Sequence, residues 1–501
     1  MKNLLTSAQT RLTDAYTINS KQISSVELME NASLAFVKAF IEEVSDQTVS
    51  IAVLCGKGNN GGDGLAIARL LKNRGYTGIA VYITAFSVSA ETEEYQVNLA
   101  RLKEAGIEAR LFDSAEQFAG LKEQVIIEAV LGSGLSRSLT GSYRRMAELV
   151  NALSRKVIAV DIPAGFPAEG IIQKNEVYLK AELVICFQRP KINFFFPESL
   201  EALQRFKVVN IGLDEEYIQN QPSPYQLMDA ETIVQLIPSR KPFTHKGTYG
   251  HALIIAGQRE TMGAALLAAK SCLYGGAGLT TVSIPESGLT ALNTALPEVM
   301  YIDRDRLKVA GELEKFKTVA AGPGLGTAEE SISLVAYLIK LQIPLILDAD
   351  ALNIIGSNKE LLSQLTTGSI LTPHMKEFDH LFGKHDSWWE RLQTAREKAV
   401  QGQYVIVLKN QYTFVIDQQG KVTINPTGDP AMAQGGMGDV LTGITAAFSA
   451  QGFDPADAAR IACYLHGKSG DELSAARVNV TASQVAEHVP QTLKGLNRYA
   501  S

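Results

Sequence analysis

The residue order predicts an α/β protein built as two three-layer αβα domains, and three observations carry that prediction. At 501 residues the chain is longer than one hydrophobic core usually organises. Both halves alternate short, nearly continuous apolar runs with amphipathic stretches, the pattern of buried parallel strands joined by helices. Around residues 214–245 the alternation loosens, and DEEYIQNQPSPYQLMD there is polar and carries two prolines. The boundary is therefore placed between 222 and 223, giving domains 1–222 and 223–501.

In the first domain SSVELMENASLAFVKAFIEEV (24–44) reads as one long amphipathic helix. Strands follow at 50–55, 78–83, 108–113, 124–130, 156–162, 181–187 and 206–211, with helices expected at 65–75 and 91–106. The second domain restarts with strands at 251–257, 279–284, 317–322, 343–349, 368–373, 404–409 and 412–417. Helices are expected there at 260–276 and 437–452. The halves share a style but no sequence period, so no internal repeat is assigned.

Composition narrows the function classes. The formal net charge is −6, with no long block of like charge, which argues against nucleic acid as a partner. Cys55, Cys186, Cys272 and Cys463 lie far apart in or beside apolar runs and read as buried free thiols. The opening MKNLLTSAQTRLTDAYT has polar residues where a signal peptide needs an apolar stretch, and no run approaches the ~20 apolar residues of a membrane span. No membrane partner is expected, and the location expected is the cytoplasm. Enzymes of this size are commonly symmetric assemblies, so a homo-oligomer is expected.

The C-terminal chemistry centres on TGDPAMAQGGMGDVLTGITAAF (427–448). A glycine cluster there leads directly into an apolar helix, whose first amides are unpaired and suit an anion. Asp439 falls in the first helical turn, where a carboxylate can take a proton from an attacking hydroxyl while the amides hold a transferring phosphoryl group. Alone, the loop reads equally well as a helix start with a dipole-complementing Asp. Its neighbours decide. AGPGLG (321–326), LDADAL (347–352), LTPHMKEFDHL (371–381) and VLKNQYT (407–413) each follow an apolar run, so Asp348, Asp350, His374, Glu377 and Lys409 fall at strand ends. In an open parallel sheet such ends form the ligand crevice. His374 alone would read as a structural histidine, and the histidine spacings fit no zinc motif.

HKGTYGHALIIAG (245–257), Gly263-Ala264, AGPGLG, LDADAL, TPHMKEF and GGMGDVLTG together resemble the ribokinase-like NAD(P)H-hydrate dehydratases, over residues 240–495. The resemblance implies phosphorylation of the hydroxyl of hydrated NADH or NADPH, followed by elimination of phosphate that restores the nicotinamide double bond. It implies ADP (or ATP) as co-substrate with Mg2+, and ADP is the expected choice. It places Ala264, Gly324, His374 and Asp439 at the hydrate, with Asp439 catalytic, and Lys409, Asn410, Gln411, Tyr412, Thr413 and Gly438 at the nucleotide. The family usually has Gly after the lysine and Thr between the glycines, where this chain has Asn410 and Met437.

In the first domain CGKGNNGGDGLAIARLL (55–71) joins a strand to a helix through glycines. It lacks the Lys-Ser/Thr of a Walker loop and the ribose-binding acid of a dinucleotide fingerprint, yet offers amides to phosphate. A capped helix start with an Asn-Gly turn is the plain alternative. EAVLGSGLSRSLTG (128–141) and VDIPAG (160–165) point to the same crevice, and Asp161 beside such loops is an acid–base candidate.

With LMENAS (28–33) and RPKINFFFPE (189–198), these motifs resemble the Rossmann-like NAD(P)H-hydrate epimerase domain over residues 1–215. That resemblance implies interconversion of R and S hydrates with Asp161 catalytic. It places Asn59, Asn60, Gly61, Gly62, Asp63 and Gly132, Ser133, Gly134, Leu135, Ser136, Arg137, Ser138 at the hydrate. It also implies a K+ site at Asn60, Glu128 and Ala164, the last two standing where the family usually has Asp and Ser. The combined reading is a fused repair enzyme acting on NADHX and NADPHX. The alternative is a ribokinase-like vitamin or sugar kinase with a non-catalytic N-terminal binding module; TPHMKEF and HKGTYG favour repair.

Overall fold

The computed structural model describes residues 1–86, 91–132 and 138–497. They divide into two units, Asn3–Ser223 with Ser387–Trp389, and Pro224–Asp386 with Met1–Lys2 and Glu390–Ser501. A two-residue strand, β1 (Lys2–Asn3), opens the chain.

The N-terminal unit then runs through β2 (Ile51–Cys55), β3 (Ile79–Thr84), β4 (Ala109–Phe112), β5 (Val125–Ala129), β6 (Lys156–Val160), β7 (Ala181–Phe187) and β8 (Leu203–Val209). The strands pair in the order β4-β3-β2-β5-β6-β7-β8, parallel throughout. Every residue of β2 and β5 is buried, which is why these strands read as unbroken apolar runs. The chain winds outward from β2 and then returns to β5, so the crevice of the sheet opens between those two strands.

Helix Ser25–Glu43 is closed by a Ser24–Glu27 capping box and buries Phe36 and Phe40 in the core that includes Tyr76. The helix after β2 spans Asn59–Asn73 and begins six residues before the expected start. Its glycines serve packing: a Cβ on Gly61 would lie 1.9 Å from Gly56 O, and one on Gly64 would lie 2.7 Å from Ala129 Cβ. The segment read as a loop is the first turns of a helix pressed onto β2 and β5.

The C-terminal unit contains β9 (Tyr225–Leu227), β10 (His251–Ile255), β11 (Leu279–Ser283), β12 (Met300–Tyr301), β13 (Thr318–Ala321), β14 (Leu345–Leu347), β15 (Ile370–Leu371), β16 (Val405–Leu408), β17 (Phe414–Ile416) and β18 (Val422–Ile424). Its sheet has the order β1-β9-β18-β17-β16-β15-β14-β13-β10-β11-β12. The pairs from β12 to β16 are parallel, while β17 is antiparallel to both its neighbours. Here the chain reverses its winding between β10 and β13. Helices Met262–Tyr274 and Met437–Ala450 pack on this sheet through alanine-rich faces. Among the described residues no helix is long and apolar enough to cross a membrane, and the four cysteines are buried and free.

Candidate functional site

In the C-terminal unit the strand ends converge. At the reversal between β10 and β13, Gly257 N donates to Pro323 O at 2.8 Å and Thr261 Oγ1 to Gly324 O at 2.6 Å. Gly324 has φ +57, and a Cβ there would lie 2.9 Å from Thr261 O, so only glycine fits. Ala264, whose amide bonds Thr261 O at 3.1 Å, is brought to the same place. After β15, His374 caps helix Met375–Phe382, its Nδ1 accepting from the amides of Lys376 and Glu377. A parallel bridge joins His374 to Lys409 at the end of β16.

Behind them stands an ion pair. Lys409 Nζ lies 2.8 Å from Asp348 Oδ1 and 3.9 Å from Glu377, and Thr442 Oγ1 donates to Asp348 Oδ2 at 2.7 Å. Burial disfavours the Lys409 ammonium, but the carboxylates of Asp348 and Glu377 outweigh it and hold its pKa above the usual lysine value. Asp439 occupies the first turn of helix Met437–Ala450. Burial, then the charge of Asp348, raises its carboxyl to about 6, against the pull of Lys409. A carboxylate poised there is suited to accept a hydroxyl proton near neutrality.

Beside this cluster opens a cavity of about 440 Å³ lined by Lys409, Asn410, Gln411, Thr413, Met437 and Gly438 among others. Tyr412 is not among its lining residues. Sequence reasoning missed part of the wall. Asn425 and Thr427 line the cavity and are fixed by bonds to Cys463 O and Tyr464 O at 3.1 Å each. His466 is also there; burial pushes its imidazole down to about 4, against a hydrogen bond with the Met437 backbone. These residues follow a strand of three residues or lie inside helix Pro455–Ser474, away from the glycine loops that a motif search finds. The one local hint was Gly467, where a Cβ would meet Thr427 Oγ1 at 2.3 Å.

In the N-terminal unit, Asp161 follows β6 with φ +63, a conformation that non-glycine residues keep only where surroundings enforce it. Its Oδ1 accepts from Lys191 Nζ at 2.9 Å, Phe187 N at 3.0 Å and Cys186 Sγ at 3.6 Å. Lys191 is buried; Asp161 outweighs that burial and holds the ammonium well above the ordinary lysine range. Asp63, in the first turns of helix Asn59–Asn73, is pushed well up by burial and by the charges of Asp161 and Asp14. Lys191 and Asp14 were missed: one sits in a segment valued only as a motif, the other on a helix before any glycine loop.

Asn60 is buried, its Nδ2 has no partner among the described residues, and a Cβ on Gly132 would lie 3.3 Å from Asn60 Cβ. Asn59, Gly61 and Gly62 share that helix start. Glu128 is fully buried and accepts from Val130 N at 2.8 Å and Ala164 N at 3.0 Å. Burial raises it to about 7, against the three backbone amides that favour its charge, and among the described residues no cationic side chain contributes. Ser138 is described, whereas Ser133, Gly134, Leu135, Ser136 and Arg137 lie outside the described residues. No group of three or more His, Cys, Asp or Glu poised for a metal occurs among the described residues.

Comparison with known proteins joins the two sites. A family model described as NAD(P)H-hydrate dehydratase matches residues 252–491, and one described as YjeF-related protein N-terminus matches residues 25–193. The bifunctional NAD(P)H-hydrate repair enzyme Nnr of Moorella thermoacetica is 32% identical, covering 98% of this chain and 97% of its own. That of Thermofilum pendens is 33% identical, covering 94% and 92%. A ribokinase-like superfamily protein from Enterococcus faecalis superposes with TM-score 0.51 at 26% identity, over 55% of this chain and 96% of that one. An ADP/ATP-dependent NAD(P)H-hydrate dehydratase from Bacillus subtilis, co-crystallised with ATP and Mg2+, is 31% identical over 54% of this chain and 98% of that one, with TM-score 0.49. With relatives this similar along nearly its whole length, the chain belongs to the family of bifunctional NAD(P)H-hydrate repair enzymes.

Proposed function

We propose that the chain repairs hydrated NADH and NADPH, its N-terminal unit interconverting the R and S hydrates and its C-terminal unit dehydrating the S hydrate at the expense of an adenine nucleotide. One observation carries the second step: Asp439 lies in the first turn of a helix, within electrostatic reach of the buried Lys409–Asp348 pair. Asp439 takes the proton of the hydrate hydroxyl as its oxygen attacks the terminal phosphorus of ADP, our choice over ATP, and the bridging P–O bond breaks with its electron pair to release AMP. The amides opening the helix and the Lys409 ammonium hold the negative phosphoryl oxygens. The phosphorylated carbon then loses phosphate with the C–O electron pair, the neighbouring carbon loses a proton, and the ring double bond returns. Lys409, Asn410, Gln411, Thr413 and Gly438 line the nucleotide cavity, while Ala264, Gly324 and His374 border the hydrate. Bound magnesium supplies charge neutralisation on the nucleotide phosphates.

In the N-terminal unit Asp161 is the catalytic carboxylate, and Asn59 to Asp63 with Gly132 and Ser138 bind the hydrate. K+ suits a fully buried carboxylate that no cationic side chain compensates among the described residues. Asn60 and Glu128 would hold it, and Ala164 could offer only its backbone. We place the protein in the cytoplasm as a homo-oligomer.

The test is incubation of the full chain with NADH hydrate and ADP or ATP while absorbance of reduced nicotinamide is followed. Recovery supports the reading. No recovery, alongside phosphorylation of a vitamin precursor, would establish the small-molecule kinase instead.

A further inference from the structure

Asp161 acts electrostatically on two other carboxylates, Asp14 and Asp63. Helix Ser7–Lys21 is pinned along its length: Glu169 accepts the Ser7 amide, Thr17 Oγ1 accepts from Asp214 N at 3.1 Å, and Lys21 Nζ donates to Gly212 O at 2.8 Å. Arg11, Asp14 and Thr17 follow at every third position and so share one helix face. Thr17 is buried, and Arg11 acts on Glu169, which also feels Lys191. This face is therefore turned toward the Lys191–Asp161 pair, and Asp14 stands in the middle of it. Asp14 makes no hydrogen bond among the described residues, and Asp161 engages its three donors through Oδ1 alone. The aspartates do not converge closely enough to hold a metal ion. They are separate groups within electrostatic reach of one another.

We propose that Asp14 is the acid–base partner of Asp161 in epimerisation, a second catalytic carboxylate that lies before the residues matched by the family model. The inference rests on the epimerase reading above. In the hydrate, the hydroxyl-bearing carbon is bonded to the ring nitrogen. Asp14 gives its proton to the hydroxyl; the C–O bond breaks with its electron pair on oxygen, releasing water, and the nitrogen lone pair forms a C=N bond. A water molecule adds to the opposite face, its electron pair makes the new C–O bond, and Asp161 Oδ2 takes the proton released. Nothing is oxidised or reduced. Solvent returns the protons, or the reverse reaction does so directly.

Burial, then the charge of Asp161, raises the Asp14 carboxyl to about 6, against the pull of Lys191, so it exchanges protons near neutrality. Among the described residues, the other groups linked electrostatically to these are Asp63 from helix Asn59–Asn73, Cys186 at the end of β7, Glu169, and Arg11 on the same helix as Asp14. Asp63 is pushed well above the ordinary carboxyl value by burial and by the charges of Asp161 and Asp14.

The experiment measures R-to-S conversion by the full chain from about pH 5 to about pH 9. The wild-type rate is expected to decline as pH rises above about 6, because the acid loses its proton. Asp14→Asn should lower the rate about 100-fold and abolish that decline, with a thermal unfolding midpoint no lower than that of the wild type, and Asp14→Glu should restore part of both the rate and the decline. A folded Asp14→Asn variant with the wild-type rate would overturn the inference. So would a slowed variant that keeps the decline, since a purely structural role scales the rate equally at every pH. A wild-type chain that leaves the epimer ratio at its spontaneous drift would overturn the epimerase reading and this inference together, a result distinct from either variant outcome.

Discussion

Lys409 Nζ and Asp348 Oδ1 meet at 2.8 Å directly behind Gly438, where an added Cβ would lie 3.4 Å from that Nζ. The pair links the end of β14 to the end of β16, and Thr442 ties it to the helix that carries Asp439. Asp348 is 1% exposed. Removing the cation leaves that carboxylate buried and uncompensated. Lys409→Met should therefore destabilise the C-terminal unit by about 3 kcal/mol, read from urea unfolding, and weaken nucleotide binding. Lys409→Arg should recover most of the stability.

Asp439 must be ionised to act as a base. With its carboxyl at about 6, dehydration under kcat/KM conditions should fall as pH drops below about 6, and Asp439→Asn should abolish turnover while retaining nucleotide binding. Stability runs the other way. The native carboxyl holds its proton more tightly than the unfolded one, so the native state loses ground as pH rises from the ordinary Asp value toward 6 and stays penalised above it. Asp439→Asn should thus raise the unfolding midpoint at neutral pH, and the gain should shrink below pH 6.

Much of this architecture was legible because buried parallel strands are unbroken apolar runs. The expected strands from 50–55 to 412–417 all overlap observed ones, with β3 running one residue past its expected end and β8 starting three residues early, and Asp161, Asp348, His374 and Lys409 lie at strand ends. What stayed hidden has physical causes. β9, β12 and β18 span two or three residues, too short for any period to show. The antiparallel turn at β17 is set by pairing across the sheet, which an apolar run does not encode. The glycines of residues 56–64 looked like a loop because glycine permits both a turn and close helix packing, and here packing dominates. Thr442, His466 and Asp14 lie inside helices, where a polar residue on an inward face looks the same as one on a solvated face until the fold is known.

Met437 lines the cavity proposed to hold the nucleotide, at the position where the motif resemblance leads one to expect threonine. A thioether offers no hydroxyl to a phosphate or ribose oxygen, so Met437→Thr should lower the KM for ADP about threefold to tenfold, with kcat within about twofold of wild type. Steady-state kinetics at varied ADP would check this; an unchanged KM would show that position to be neutral.

Glu128 supplies a buried carboxyl that no cationic side chain offsets among the described residues. If K+ sits against it, thermal unfolding of the first unit in potassium chloride should occur at a higher temperature than in choline chloride at equal ionic strength. Glu128→Gln should remove that difference. Because the empty carboxyl lies at about 7 and binds cations only when ionised, the potassium effect should grow from pH 6 to pH 8. An effect identical in wild type and Glu128→Gln would place the ion elsewhere.

The central claim is that one chain carries both activities, and an epimeric mixture of NADH hydrate tests it most directly. With ADP, the wild-type chain should return the whole mixture to reduced nicotinamide. Asp161→Ala should return the S share at the normal rate and the remainder only as fast as it epimerises spontaneously. Recovery that stops at the S share in the wild type, or no nucleotide-dependent recovery at all, would contradict the account.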